Sequence, residues 1–302
     1  MQEIIKIESI SQVHDFFQLP KPKHPLVSVL PITDEMTNYD YGDYSYTFGF
    51  YQISLKKGIS GSLTYGRNSY DFQEGTMIFM KPNQVIRIEN NQEYKGASGW
   101  TLLFHPDLIR KSELGRIINS YSYFSYETNE ALHLSDIENK SLTELVSKIE
   151  KEYNQNIDKH SQELIIANID LLLKYCKRYY DRQFYTRTNI NRDFVTVFEN
   201  IMNDYFSSEK ARELGVLTVS YCAKQMNMSA NYLGDLIRNE TGTSAKEYIQ
   251  NFLIENAKTK ILSSNKPISQ IAYNFGFEYP QSFNKLFKAK TGLTPTLYRN
   301  LN

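Results

Sequence analysis

The sequence predicts an α+β fold, with a strand-rich first part and a helical remainder. Residues 25–104 contain short segments of β-branched and aromatic residues between glycine and proline turns. After residue 106, apolar residues recur every three or four positions, as they do in helices. A pair of similar helical patterns near the C-terminus divides the helical part further. The length of 302 residues suggests two domains, with room for a third small one.

The strand-rich part has six candidate strands, each separated from the next by a turn signal. They are residues 26–32, 46–55, 61–66, 76–80, 84–88 and 98–104. Short strands at this spacing are typical of a small antiparallel barrel or sandwich. We therefore predict a small antiparallel β-barrel over about residues 20–105.

Helices are expected to follow the barrel. Residues 106–120 predict one helix. Ser135-Asp-Ile-Glu138 is a capping box, and it opens a long helical region that ends near Tyr180. Residues 181–191 are polar and lack a strong period, so this stretch is the best candidate for a linker.

The helices at about 135–180 have two interpretations. The run from Leu171 to Tyr180 carries apolar residues on more than one face, and such a helix needs several packing partners. We favour homodimerisation through this region over a simple cover for the barrel.

Two helix-turn-helix patterns follow each other near the C-terminus. The first covers residues 217–240 and the second covers residues 267–292. Ala223 and Ala272 occupy equivalent places, where a small residue allows two helices to cross closely.

A helix predicted over about residues 244–262 joins the two patterns. Ser244-Ala-Lys-Glu247 is its capping box, and its roughly nineteen residues span about 28 Å. One turn of DNA is about 34 Å long. A rod of this length could hold two recognition helices near one DNA turn apart, so a single copy could read two successive major grooves.

Charge is unevenly distributed along the chain. The 34 basic and 34 acidic residues give zero net charge. Residues 217–302 hold ten basic and five acidic residues, so they carry +5 and residues 1–216 carry −5. A basic C-terminal block on a slightly acidic body favours a DNA-binding protein, although a solvated surface is the alternative.

Three runs of residues resemble the signature of a known family. They are Ile268-x-x-Ile271-Ala272-x-x-x-Gly276-Phe277, then Phe283-x-Lys285-x-Phe287-Lys288, then Thr291-Gly292-x-Thr294-Pro295-x-x-Tyr298-Arg299. They look like the motifs of AraC/XylS-type transcription regulators, and the likeness covers about residues 195–302. The run from Gly75 to Gln84 resembles the cupin-like sensing domain of the same family.

The resemblance implies an organisation and a function. It implies a cupin-like effector-sensing and dimerisation domain at residues 1–183 (helices about 106–180), a linker at 184–194, and a double helix-turn-helix domain at 195–302. The implied function is sequence-specific transcription regulation, commonly activation, in response to a small-molecule effector. The implied partners are double-stranded DNA, the effector, a second copy of the chain and RNA polymerase.

Four positions depart from the family pattern. Leu253 and Lys285 stand where the family commonly has arginine. Gly234 and Asp235 lie where long polar side chains often read bases. A carboxylate such as that of Asp235 repels phosphate but can accept a hydrogen bond from cytosine N4.

The candidate DNA-binding residues lie on the expected outer faces of the two recognition helices. They are Ser229, Ala230, Asn231, Gly234, Asp235 and Arg238 in the first helix, and Pro280, Gln281, Ser282, Asn284, Lys285 and Lys288 in the second. Asn231 can pair with adenine, and Gln281 and Lys285 are the best candidates for base contacts in the second helix. Arg238 is expected to contact phosphate.

Aromatic residues of the predicted strands could line an effector pocket. The candidates are Phe48, Phe50, Tyr51, Tyr65, Phe79 and Trp100. The alternative is that these side chains fill the core of the barrel.

Other functional classes are disfavoured. No run of eighteen apolar residues occurs, and the N-terminus does not resemble a secretory signal, so we expect a cytoplasmic protein. The five histidines are scattered, the two cysteines lie far apart and no catalytic motif occurs, so we expect no metal, no cofactor and no enzymatic activity. Two alternatives stay open: a constitutive DNA-binding protein whose barrel only dimerises, and a cupin-type enzyme with a DNA-binding tail.

Overall fold

The computed structural model describes residues 4–32, 44–57, 75–87, 98–126, 130–155, 157–186 and 188–301. The predicted strand 61–66 and the pocket candidate Tyr65 lie outside these residues. The chain divides into two compact units, Met1–Gln183 and Phe184–Asn302.

The described part of the first unit contains strands and helices. In chain order they are β1 (Ile4–Ile7), α1 (Ile10–Phe16), β2 (Val27–Pro31), β3 (Ser45–Phe48), β4 (Tyr51–Lys57), β5 (Thr76–Met80), β6 (Val85–Arg87), β7 (Ser98–Phe104), α2 (Pro106–Ile109), α3 (Glu113–Ile117), β8 (Leu132–His133), α4 (Asp136–Asn154) and α5 (Ser161–Thr186).

These strands form two sheets, with the strand orders β1-β3-β6 and β2-β7-β4-β5-β8. The pairing of β1 with β3 is parallel, and the pairs within the larger sheet are antiparallel. The α+β class predicted from the sequence is therefore confirmed. The predicted barrel is not, because the strands within the described residues form two sheets and do not close on themselves.

The predicted strand 46–55 is in fact two strands, because the chain changes sheets at Gly49. β3 pairs with β1 and β6, whereas β4 pairs with β5 and β7. A Cβ atom on Gly49 would lie 2.9 Å from the backbone oxygen of Glu8, so glycine permits this close crossing.

Local capping determines where the helices of the first unit begin. The predicted capping box is present: the Ser135 amide donates to Glu138 Oε2 over 2.9 Å, and the Glu138 amide donates to Ser135 Oγ over 3.4 Å. Residues 106–120 are not the single predicted helix. Ser112 interrupts them and caps α3 by accepting a hydrogen bond from the Gly115 amide.

The second unit is helical in its described residues. Its helices are α6 (Thr188–Ser207), α7 (Lys210–Leu214), α8 (Val219–Gln225), α9 (Ala230–Thr241), α10 (Ala245–Leu262), α11 (Ile268–Asn274), α12 (Pro280–Thr291) and α13 (Pro295–Leu301). The first helix-turn-helix consists of α8 and α9, and the second consists of α11 and α12. The stretch predicted as a linker, 184–194, is helical up to Thr186 and again from Thr188.

The joining helix α10 also supplies core residues to the second motif. Its Leu253, Ile254 and Ala257 share one buried apolar cluster with Phe283 and Phe287 of α12. α10 has 18 residues and therefore spans about 27 Å.

A close backbone contact fixes the turn of the second motif. Gly276 has a φ of 84°, and a Cβ atom there would lie 2.3 Å from the carbonyl carbon and oxygen of Gly215. Beside this contact, Arg212 donates to Asn274 Oδ1 through Nε and Nη2, over 2.9 and 2.6 Å. The turn between α11 and α12 is thus held against the segment that precedes the first motif.

Replacement of Gly276 by alanine is expected to destabilise the second unit strongly. The matched control is Gly242→Ala, because Gly242 also has a positive φ, of 72°, but among the described residues no atom other than those of its chain neighbours lies within 4 Å of the point that a Cβ there would occupy. The left-handed conformation alone should cost Gly242→Ala about 1–2 kcal/mol. The added backbone clash should cost Gly276→Ala about 1–3 kcal/mol more. Calorimetric unfolding of the full chain measures both, and equal losses would refute the role of the Gly215 contact.

Candidate nucleic-acid interface

The two recognition helices, α9 and α12, are built alike. Each has 12 residues and ends at a left-handed glycine, Gly242 or Gly292. In each helix the last threonine, Thr241 or Thr291, donates from Oγ1 to the carbonyl four residues earlier. Residues fifty positions apart are therefore structurally equivalent in the two helices.

One face of each recognition helix is buried, as the apolar spacing predicts. In α9, Tyr232, Leu233, Leu236 and Ile237 are buried. In α12, Phe283 and Phe287 are fully buried and Leu286 is partly buried against the same cluster. The opposite faces of both helices are left for other contacts.

The sequence-predicted DNA-binding residues lie on these opposite faces. Seven are exposed: Asn231, Arg238, Gln281, Ser282, Asn284, Lys285 and Lys288. Five are half-buried: Ser229, Ala230, Gly234, Asp235 and Pro280. Ser229 has a structural role, because its Oγ accepts from the Tyr232 amide over 3.1 Å and caps α9.

Sequence reasoning gave no role to Tyr279, which occupies in α12 the cap position that Ser229 occupies in α9. Its side chain is 58% exposed, beside the candidates Pro280 and Gln281. The fifty-residue offset between the two motifs was the signal that could have drawn attention to it.

Two basic residues, one at the end of α12 and one on α13, form ion pairs or hydrogen bonds within the protein. Lys290 Nζ lies 3.0 Å from Glu247 Oε1 on α10. Arg299 donates to the carbonyl oxygens of Ile261 and Lys266, over 3.0 and 2.9 Å. Arg299 therefore ties the end of α10 to the start of the second motif.

Comparisons with known proteins agree with this geometry. A family of helix-turn-helix domains matches residues 222–301, which include both recognition helices. YfiF of Bacillus subtilis, named as an uncharacterized HTH-type transcriptional regulator, is 24% identical over 273 residues, covering 88% of this chain and 81% of that protein. The chain is a DNA-binding transcription regulator with a C-terminal helix-turn-helix domain.

Other similar proteins share shorter segments with this regulator. YesN of Bacillus subtilis, named as an uncharacterized transcriptional regulatory protein, is 36% identical over 94 residues, covering 30% of this chain and 26% of YesN. The solved C-terminal domain of AraT, a response regulator from Geobacillus stearothermophilus, is 28% identical. That match covers 36% of this chain and 85% of the other, with a TM-score of 0.32.

Five of the six predicted effector-pocket residues lie in the part of the chain that the structure describes, and they fall into two groups. The strand register places Tyr51, Phe79 and Trp100 on the same face of the five-stranded sheet. There Tyr51 stacks on Phe104 at 4.9 Å between ring centroids, and Trp100 Nε1 donates to Thr143 Oγ1 of α4 over 3.1 Å. These three aromatic residues are part of the core on this helix-covered face.

Phe48 and Phe50 lie elsewhere, in an apolar cluster between the two sheets. Their ring centroids are 5.6 Å apart. Leu30 and Leu103, from the other face of the five-stranded sheet, belong to the same cluster. That other face is therefore directed towards the smaller sheet.

The face of the five-stranded sheet that is directed towards the smaller sheet also carries five polar residues. We call this face the polar face. The five residues are Ser28 on β2, Gln52, Ser54 and Lys56 on β4, and Thr101 on β7. Gln52 is only 8% exposed, and Ser54 Oγ lies 3.0 Å from Thr101 Oγ1. Burial lowers the pKa of Lys56. Polar and apolar residues alternate along β4, and this alternation is the signal in the sequence that indicates the polar face.

Three other features bear on the function: a buried cysteine, possible metal ligands and the hydrophobicity of the helices. Burial raises the pKa of Cys222 to about 12, so its thiol stays protonated, as suits a core residue. Within the part of the chain that the structure describes, no three His, Cys, Asp or Glu residues gather as metal ligands. Among the same described residues, no helix is both long enough and apolar enough to cross a bilayer.

Proposed function

We propose that this regulator binds a specific operator through both recognition helices and acts in the cytoplasm as an effector-responsive activator. The observation that carries the proposal is the presence of two equally built helices on one compact unit, each with an exposed polar face. α10 spans about 27 Å, close to the rise of about 34 Å in one DNA turn. The two helices are suited to adjacent segments of the major groove.

The exposed side chains suggest which residues contact bases and which contact phosphates. Asn231 and Gln281 are equivalent residues with amide side chains, and an amide can donate to and accept from the edge of adenine. Arg238 and Lys288 are also equivalent, one helical turn before the C-terminus of each helix. We assign them to phosphate contacts, which position the protein without reading sequence.

Selection of bound sequences from a random DNA pool by the full-length protein tests the proposal. An enriched motif and a steep decrease in affinity with salt are expected, because lysine and arginine release counterions from DNA. Lys288→Ala should reduce the salt slope by about one and weaken binding to all sequences alike. Gln281→Ala should cost about 1–3 kcal/mol of binding free energy and relax the specificity at one base position.

The control variant is Lys148→Ala, an exposed lysine of α4 in the first unit. Its DNA affinity should match that of the wild type. No enriched sequence at any salt concentration would contradict the proposed function.

We also propose that a second copy of the chain covers an apolar stripe on α5. Leu164 and Leu171 lie seven residues apart and are 48% and 43% exposed. Ala167 lies between them and is exposed, and Tyr175 one turn later is half-buried. Such a stripe on a helix whose opposite side is already buried needs a partner.

The charges on α5 favour an antiparallel arrangement of the two copies. Glu163 lies at the start of the stripe, and Lys177 and Arg178 lie exposed just beyond its end. Antiparallel pairing would bring the acidic end of each stripe to the basic end of the other. A parallel pairing would place like charges together.

Leu171→Asp is expected to weaken the dimer at least about tenfold, because each copy would bury an unpaired carboxylate. Ile137→Asp is the control, because Ile137 is 80% exposed on α4, away from the stripe. Sedimentation equilibrium measures the dissociation constants. A dimer unaffected by Leu171→Asp, or equally weakened by Ile137→Asp, would exclude the stripe as the interface.

We propose further that the effector binds between the two sheets, against the polar face. A buried polar side chain needs a hydrogen-bond partner, and Gln52 offers a donor and an acceptor there. Lys56 adds positive charge on the same face, so the chemistry favours a small organic anion. Phe48 and Phe50 lie between the same two sheets and could contact its apolar part.

Anilinonaphthalene sulfonate and phenylnaphthylamine, which differ by one sulfonate group, test this site. Lys56→Met should weaken binding of the sulfonate about tenfold or more, because a charged hydrogen bond contributes about 1.5–3 kcal/mol. Binding of the neutral dye should stay unchanged. Lys57→Met is the matched control, because the next residue of β4 faces the other side of the sheet. Equal effects of the two variants would contradict the assignment.

Activation would require contact with RNA polymerase, which the family resemblance supports. An effector can change operator binding only through its differential affinity for two states of the regulator. A regulator whose operator affinity no ligand changes would instead be the constitutive alternative.

A further inference from the structure

The equivalence of α9 and α12 allows their DNA-facing residues to be compared position by position. With the fifty-residue offset, Asn231 corresponds to Gln281, and both side chains are amides. The next outward pair differs, because Gly234 stands where α12 has Asn284. The two helices therefore start with similar chemistry and then diverge.

Gly234 leaves an open space in the middle of α9. Apart from the backbone of α9 itself, no atom of the described residues lies within 4 Å of the position that its Cβ would occupy, so no packing contact among them requires glycine there. Glycine is unfavourable in a helix interior because it loses the most backbone freedom on folding. The outer face of α9 therefore has no base-reading side chain at this position.

The next position reverses the charge. Asp235 in α9 corresponds to Lys285 in α12, and both follow the divergent pair directly. At these two outward positions the charges of Asp235 and Arg238 sum to zero in α9. The corresponding residues of α12, Lys285 and Lys288, are both positively charged. The phosphate backbone attracts the second surface and is repelled by part of the first.

We propose that the two motifs read DNA unequally: α12 supplies most of the base specificity and most of the salt-dependent affinity. The first motif docks in the adjacent groove with Asn231 as its main base contact. The operator then consists of one strongly specified block and one weakly specified block, about one helical turn apart. This inference rests on the proposed function, since it requires that both helices face DNA.

The helices themselves provide the matched variants for the test. The double variant Gly234→Asn, Asp235→Lys gives α9 the residues of α12, and Asn284→Gly, Lys285→Asp makes the reverse change. Each full-length variant is used for selection from the same random DNA pool as the wild type, followed by salt titration on its best site. Circular dichroism melting confirms that each protein is folded, and Asp235→Lys alone serves if the first double variant is not.

For the wild type we expect one block of high information content and one of low content. In the variant whose α9 carries the residues of α12, the weakly specified block should become more strongly specified. The slope of its affinity against salt concentration should become steeper by about one. The variant with a converted α12 should lose the strong block and bind at least about tenfold more weakly.

Two equally specified blocks with the wild type would overturn this inference alone and leave the proposed function intact. An unchanged motif and salt slope in both double variants would also overturn it. Failure of the wild type to enrich any sequence would overturn the proposed function and this inference with it.

Discussion

Recognition of two grooves by one chain requires that the two helices hold a fixed spacing, and burial of α10 provides that constraint. Leu253 of α10 is 1% exposed and packs in the same cluster as Phe283 and Phe287. AraC-type regulators commonly have arginine at this position, which in this cluster would require a buried partner. The leucine therefore belongs to the structural core, and the approach of Gly276 to Gly215 adds a second constraint on the same motif.

The helical unit was predictable because its signals are local. Ser229 caps α9 and Gly242 ends it, and each signal depends on only a few neighbouring residues. Apolar spacing also identified the buried faces correctly. The contact between Gly276 and Gly215 was not predictable, because it joins backbone segments about sixty residues apart and leaves no periodic pattern.

The sheet unit was predicted less well, because strand pairing is non-local. Apolar and aromatic residues continue from Tyr46 to Leu55, yet the chain changes sheets at Gly49. Aromatic content alone also does not separate pocket residues from core residues: Trp100 and Phe79 are buried beneath the helices. The register of β4 is needed to see that Gln52 faces the opposite way.

Unequal motifs have a consequence for control of the regulator. Binding by linked motifs is stronger than binding by either alone, because the second contact forms within the same complex. If α12 anchors the protein, the first motif adds a smaller increment that depends on how it is presented to the next groove. A change of about 1.4 kcal/mol in that increment alters operator affinity tenfold. A ligand between the sheets would need a differential affinity of only that size, whereas two strong readers would each keep the protein on DNA.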